Sequence, residues 1–267
     1  MKPRLGTVPY LNAEPLISWF RTPEGGSQAD LFADVPAQLA PKVLRGELDC
    51  AIASSFFVIG SSSLRIAPNV SISSFGPVES VRLFSKVPFE KIETLALDAS
   101  SATSTHLAQI ILAERFGSKP RTFSAPPDFD EMLSGADACV LIGDVGMRQQ
   151  FDGPHVLDLG EAWTRMTNLP FVWALWIGRN DLDSSVVPTL LRAKSFGIAH
   201  IEEAAEFGAA RSGFDYHVAL RYLAEVIEYD LTEKHFEGLS LFARLCERHG
   251  FAPSARLPQV VGEPSAI

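Results

Sequence analysis

A short apolar run that stops at small polar residues, which in turn open a helical pattern, recurs along this chain. That unit constrains the fold class before composition does. Its clearest copy covers residues 94–112, where Leu95 and Leu97 fit a buried strand while Leu107, Ile110 and Ile111, and Phe116 just beyond, return at helical spacing. Between them stand Asp98, Ser100, Ser101, Thr103, Ser104 and Thr105. Their oxygens suit a helix start, where the first backbone amides lack partners. A helix start that stays open also offers free N–H groups and the positive end of the dipole, so a carboxylate or phosphate can bind there without Lys or Arg. Simple capping is the commoner use of such residues.

The same unit recurs at Leu5-Gly-Thr-Val8 before Asn12, at Leu48-Asp-Cys-Ala-Ile-Ala53 before Ser54 and Ser55, and at Ala138-Cys-Val-Leu-Ile142 before Gly143 and Asp144. Residues 36–45 are helical in pattern, although Pro41 is expected to kink that helix or delay its start. Residues 60–85 differ, with short alternating strands at 64–67, 70–73 and 81–84 separated by Pro68, Gly76 and Pro77. Residues 169–177 are aromatic and branched and too short to span a membrane, so they read as a buried strand leading back to the first group. Beyond them the pattern is helical over 186–211, 216–231 and 233–249. The expectation is an α/β fold in two lobes. Residues 1–85 with 179–267 form the large one, residues 86–178 the inserted small one, and extended crossings fall near 81–86 and 171–179. Ligands in such folds sit at the carboxyl ends of strands. The candidate lining is therefore Asn12, Ser54, Ser55, Ser80, Ser100, Ser101, Thr103, Ser104 and Asp144, almost all neutral hydrogen-bonding groups.

Composition removes several classes of function. A chain of 267 residues with 46% hydrophobic content can bury a real core. A net charge of −9 gives no basic footprint for nucleic acid or an anionic membrane. The opening residues carry no apolar signal core, and Cys50, Cys139 and Cys246 lie far apart, so a cytoplasmic protein with reduced thiols is expected. No Walker loop, G-x-G-x-x-G, H-E-x-x-H, paired C-x-x-C or G-x-S-x-G occurs, and neither cofactor nor metal is expected. His106 is the one histidine near the expected cleft, and a surface or capping role is commoner there than a general base. Trp163 and Trp173 could stack on a ligand ring, but core packing is the commoner use. Asp144 could orient an amide or hydroxyl, and turn chemistry after Gly143 explains it as well.

Six motifs in order carry a resemblance. They are Tyr10-Leu-Asn12-Ala-Glu-Pro-Leu16, Gly46-Glu-Leu-Asp49, Gly76-Pro-Val-x-Ser80-Val-x-Leu-Phe-Ser85, Leu97-Asp-x-Ser-Ser101-x-Thr-Ser104, Leu141-Ile-Gly-Asp144, and Asp158-Leu-Gly160 leading to Leu169-Pro-Phe-Val172. Together they resemble the chorismate dehydratases of the futalosine route to menaquinone, from the first strand to about residue 180. The resemblance implies a type II periplasmic-binding-protein fold and loss of water from chorismate to give 3-[(1-carboxyvinyl)oxy]benzoate. It further implies catalytic contacts at Asn12 and Ser80, with Ser54, Ser55, Ser101, Thr103 and Ser104 as anion anchors. No strong protein base stands out in these motifs, so the substrate's own enolpyruvyl carboxylate is expected to take the proton. One departure touches the anchors: where the family often has Val-Pro-Ser after the Asp of Gly-Glu-Leu-Asp, this chain has Cys50-Ala-Ile-Ala-Ser-Ser55. The alternatives are the sister enzyme making 1,4-dihydroxy-6-naphthoate, whose catalytic histidine context is missing, and a non-catalytic binding protein for small carboxylates.

Overall fold

The computed structural model describes residues 2–262; the last five residues of the stretch expected in the large lobe lie outside these. Two five-stranded sheets organise the chain. The first contains β1 (Arg4–Thr7), β2 (Asp30–Ala33), β3 (Cys50–Ser54), β4 (Leu64–Ser74) and β10 (Phe171–Arg179), in the order β2-β1-β3-β10-β4. The second contains β5 (Arg82–Ser85), β6 (Thr94–Asp98), β7 (Arg121–Ala125), β8 (Ala138–Leu141) and β9 (His155–Asp158), in the order β7-β6-β8-β5-β9. Their plans match. β1 runs parallel to β2 and β3, as β6 does to β7 and β8, and a fourth strand, β10 or β5, lies antiparallel on each.

That fourth strand moves both expected lobe boundaries. Residues 82–85, expected in the large lobe, belong to the second sheet, and residues 171–178, expected in the small lobe or its crossing, form a central strand of the first. A buried extended segment must place its N–H and C=O groups on both edges, and joining a sheet does so. Accordingly β10 pairs with β3 on one side and β4 on the other, and β5 with β8 and β9.

Pro68 does not split the strand it interrupts. β4 runs eleven residues, and its pairing with β10 skips from Ile66 to Ser71, leaving Pro68 and Asn69 in a bulge. Asn69 takes the left-handed conformation at φ 58°, which Asn tolerates, and β4 is an edge strand, where proline's missing N–H costs little. A second irregularity leaves Trp173 as the extra residue between Val172 and Ala174 of β10. Bulges of this kind re-aim a side chain.

Pro41 is accommodated inside the helix Pro36–Leu44, which starts at a proline as first turns allow. The C-terminal helices break where the expectation ran on. The first stops at Ala199 and resumes at Ile201, and the second passes from Tyr216–Arg221 into one π-helical turn, Tyr222–Val226. Glu233–Arg248 packs on β10 and on the helix Ala102–Phe116 of the other sheet. The larger apolar core then runs from Leu5 and Ile52 through Ile72 to Leu95 and Ile111 and so spans both sheets, and a smaller one around Phe84, Met132 and Cys139 belongs to the second sheet.

Candidate active site

Four strand ends and one connecting loop face each other where the sheets meet. A small cavity there is lined among others by Tyr10, Asn12, Ser54, Ser80, Ser101, Ser104, Gly143 and Trp173. None of its lining residues is a Lys, Arg, Asp, Glu or His. Charge on a ligand is met by dipoles alone.

Asn12 lies in a single 3-10 turn, Leu11–Ala13, after β1. It does not cap the helix Glu14–Ile17; Ala13 occupies that position, without a side-chain bond. Its Oδ1 is buried with no hydrogen-bond partner. An orphan polar atom in the interior costs about 1–3 kcal/mol, so its retention beside a cavity points to a partner that arrives with the ligand.

Ser80 ends the loop that carries the chain from the first sheet to the second, and three sets of contacts fix that loop. The Asp158 carboxylate accepts from the amides of Val78 and Glu79 and caps the helix Leu159–Thr167 through the Glu161 amide. Glu79 is held at φ 62°, an uncommon conformation for that residue, while its carboxylate takes both guanidinium nitrogens of Arg221 at 2.7 and 2.6 Å. Gly160 lets the loop lie close, since a Cβ there would come within 2.7 Å of the Gly76 carbonyl. Burial raises the Asp158 pKa against the lowering effect of its amide donors. The Asp158-Leu-Gly160 and Gly76-Pro-Val-x-Ser80 motifs are therefore two sides of one joint.

From the second sheet, Ser101 caps the helix Ala102–Phe116 by accepting from the Ser104 amide at 3.2 Å, and its hydroxyl donates to Ser104 Oγ at 3.1 Å. Both serines line the cavity. The bulged Trp173 does too, with its indole N–H donated to Ser74 Oγ at 3.0 Å.

The other expected residues lie elsewhere. Thr103 accepts from the Phe56 amide and bonds Ser55, whose hydroxyl donates to the Val172 carbonyl at 2.6 Å. Ser100 donates to Asp98 and accepts from the Tyr10 hydroxyl at 3.3 Å, while its carbonyl receives the Ala37 amide. Asp144 accepts from the Leu11 amide at 3.0 Å, and its pKa is raised by burial. These four side chains line no part of the cavity and fasten one sheet to the other around it. His106 is half-buried, stacked on Phe56 at 3.8 Å between ring centroids, and its partial burial lowers its pKa. Trp163 is core, donating to the Pro170 carbonyl.

Three contributors stand outside the candidate lining read from sequence. Asp98 organises the turn after β6, accepting from Ser100 N–H and Oγ–H and from the Ile142 amide. Tyr10 packs against Gly143, where a Cβ would approach its ring to 2.9 Å. Tyr222 donates its hydroxyl proton to Ser80 Oγ at 2.7 Å. Tyr10 and Asp98 sat inside quoted motifs; Tyr222 sat in the helical tail, where no local pattern marks it.

Two like-built lobes closing on a cleft at the carboxyl ends of their parallel strands define a periplasmic-binding-protein fold. The E. coli periplasmic aliphatic sulphonate binding protein shares it, at a TM-score of 0.66 and 13% identity over 100% of this chain and 96% of that one. So does a protein of Archaeoglobus fulgidus, at a TM-score of 0.74 and 20% identity over 93% of this chain and 98% of that one. Residues 3–248 match the family model described as menaquinone biosynthesis. A Thermus thermophilus protein named chorismate dehydratase is 32% identical over 259 residues, 90% of this chain and 93% of its own length. The chain belongs to this menaquinone-biosynthesis family.

Proposed function

We propose that the protein is a chorismate dehydratase acting in menaquinone biosynthesis and that the cavity between the sheets is its active site. The observation that carries the reading is a lining of neutral donors around an unpartnered Asn12 amide oxygen, in a chain with this family membership. Chorismate presents two carboxylates and one leaving hydroxyl. Ser101, Ser104 and the start of their fifteen-residue helix supply dipoles for one carboxylate, and Ser54 adds a hydroxyl from the opposite wall. Asn12 and Ser80 hold the C4 hydroxyl that departs.

The base follows from what the wall lacks. Tyr10 is its one titratable side chain, and burial raises its pKa further from neutrality. The substrate's enolpyruvyl carboxylate therefore takes the C3 proton. The electron pair forms the ring double bond as the C4–O bond breaks, transient charge spreads to the ring carboxylate, and the proton ends on the departing hydroxide as water. Donors fixed in advance on the ring carboxylate stabilise that charge where it grows. Holding the internal base against its own proton supplies about 7–11 kcal/mol in well-oriented cases. Access for the substrate requires the Tyr10–Ser100 and Leu11–Asp144 bonds to part and re-form. We place the enzyme in the cytoplasm; three free, buried cysteines support this.

The test is to mix purified protein with chorismate and follow the ultraviolet spectrum. The diene band should give way to that of a benzoate, with a product lighter by one water. Binding without spectral change would make this a carboxylate-binding protein instead.

A further inference from the structure

We propose that Tyr222 is a positioning residue for the dehydration: by donating to Ser80 Oγ it turns the Ser80 proton into the cavity, toward the leaving hydroxyl. The inference rests on the dehydratase reading of that cavity. A serine hydroxyl has one proton and can face several ways; its partners decide which. Here the partner is a phenol, the more acidic of the two hydroxyls, and it donates to Ser80 across 2.7 Å in a buried setting. With Tyr222's proton occupying one lone pair, Ser80's own proton must leave in another direction. Asn12 Oδ1 does not receive it, because that oxygen has no partner. The remaining open side of Ser80 is the cavity it lines.

Tyr222 also adjoins Asn12, whose side chain lowers the phenol's pKa against a larger rise from burial. The phenol thus stands behind both residues assigned to the leaving group. Its placement has a backbone cause. Tyr222 opens the π-helical turn Tyr222–Val226, and such turns insert an extra residue and recur at functional sites. Arg221, the residue before it, holds Glu79, so adjacent residues of one helix grip the Ser80 loop at two points.

The test uses Tyr222→Phe, Ser80→Ala and the double variant in the full chain, with chorismate turnover and thermal midpoint measured for each. Tyr222→Phe keeps the ring, so the midpoint should stay near wild type while kcat falls about 10- to 100-fold with little change in KM. Acting through Ser80, it should add nothing further in the double variant beyond the loss from Ser80→Ala alone. A Tyr222→Phe enzyme with wild-type kcat would overturn the inference and leave the dehydratase reading standing, as would losses that multiply in the double variant. A wild-type protein that binds chorismate without turning it over would overturn both.

Discussion

The turn after β1 and the turn after β6 occupy equivalent places in the two sheets, yet they finish differently. After β6, Ser101 and Ser104 satisfy each other and a fifteen-residue helix follows. After β1 there is one 3-10 turn, a four-residue helix with no side-chain cap, and an Asn12 oxygen with no partner. A satisfied turn is stable by itself and offers a ligand a fixed dipole. A turn with a buried oxygen unpaired is completed only by what binds. On the reading proposed above, the difference divides the labour: the second lobe would anchor, while the first lobe and the Ser80 loop would do the chemistry.

Ser80→Ala should break the reactive side most severely. Loss of a donor aimed at developing charge costs about 100- to 1,000-fold in kcat, and steady-state rates on chorismate should show that with KM little altered. Asp158→Ala should come next. It frees the amides of Val78 and Glu79 and removes a helix cap, so Glu79 can leave its left-handed conformation and carry Ser80 out of line. A kcat loss of about 10- to 100-fold, together with a lowered thermal midpoint, is expected. Ser101→Ala tests the anchoring side. It should raise KM for chorismate about tenfold and cost about 1 kcal/mol of stability on denaturant titration, while kcat stays closer to wild type.

The smallest effect concerns closure and pH. Burial holds the His106 pKa below its ordinary 6.5, so as pH falls through that value the unfolded chain takes up a proton that the folded protein refuses. More protons bound by the unfolded state means stability falls with falling pH, and the contribution is whole above 6.5. Relative to His106→Phe, the wild-type thermal midpoint should therefore lose ground as the buffer passes from neutral to about pH 5, while the raised Asp144 and Asp158 act in the opposite sense on both proteins alike.

Much of this architecture was legible because strand, polar turn and helix are local signals. Asn12, Ser54, Ser80, Ser101 and Ser104 all meet at the cavity because each ends a strand or opens a turn on the same rim. Ser55, Ser100, Thr103 and Asp144 carry the same local signature, and sequence spacing alone does not tell a hydroxyl facing a ligand from one facing the other sheet. Their partners, Val172, Tyr10, Phe56 and Leu11, are remote in the chain. The lobe boundaries were misread at β5 and β10 for a related reason: whether an extended apolar run crosses between sheets or joins one depends on which edge is vacant. Tyr222 was invisible because its contact with Ser80 spans 142 residues.

The division of labour is tested most directly by a Michaelis curve for Asn12→Ala on chorismate, measured with the affinity of the same variant for the substrate by calorimetry. Turnover should collapse while chorismate still binds within a few-fold of wild type, because the carboxylates remain with Ser101, Ser104 and Ser54. An Asn12→Ala enzyme that turns over at the wild-type rate, or that fails only by losing affinity, would contradict the account.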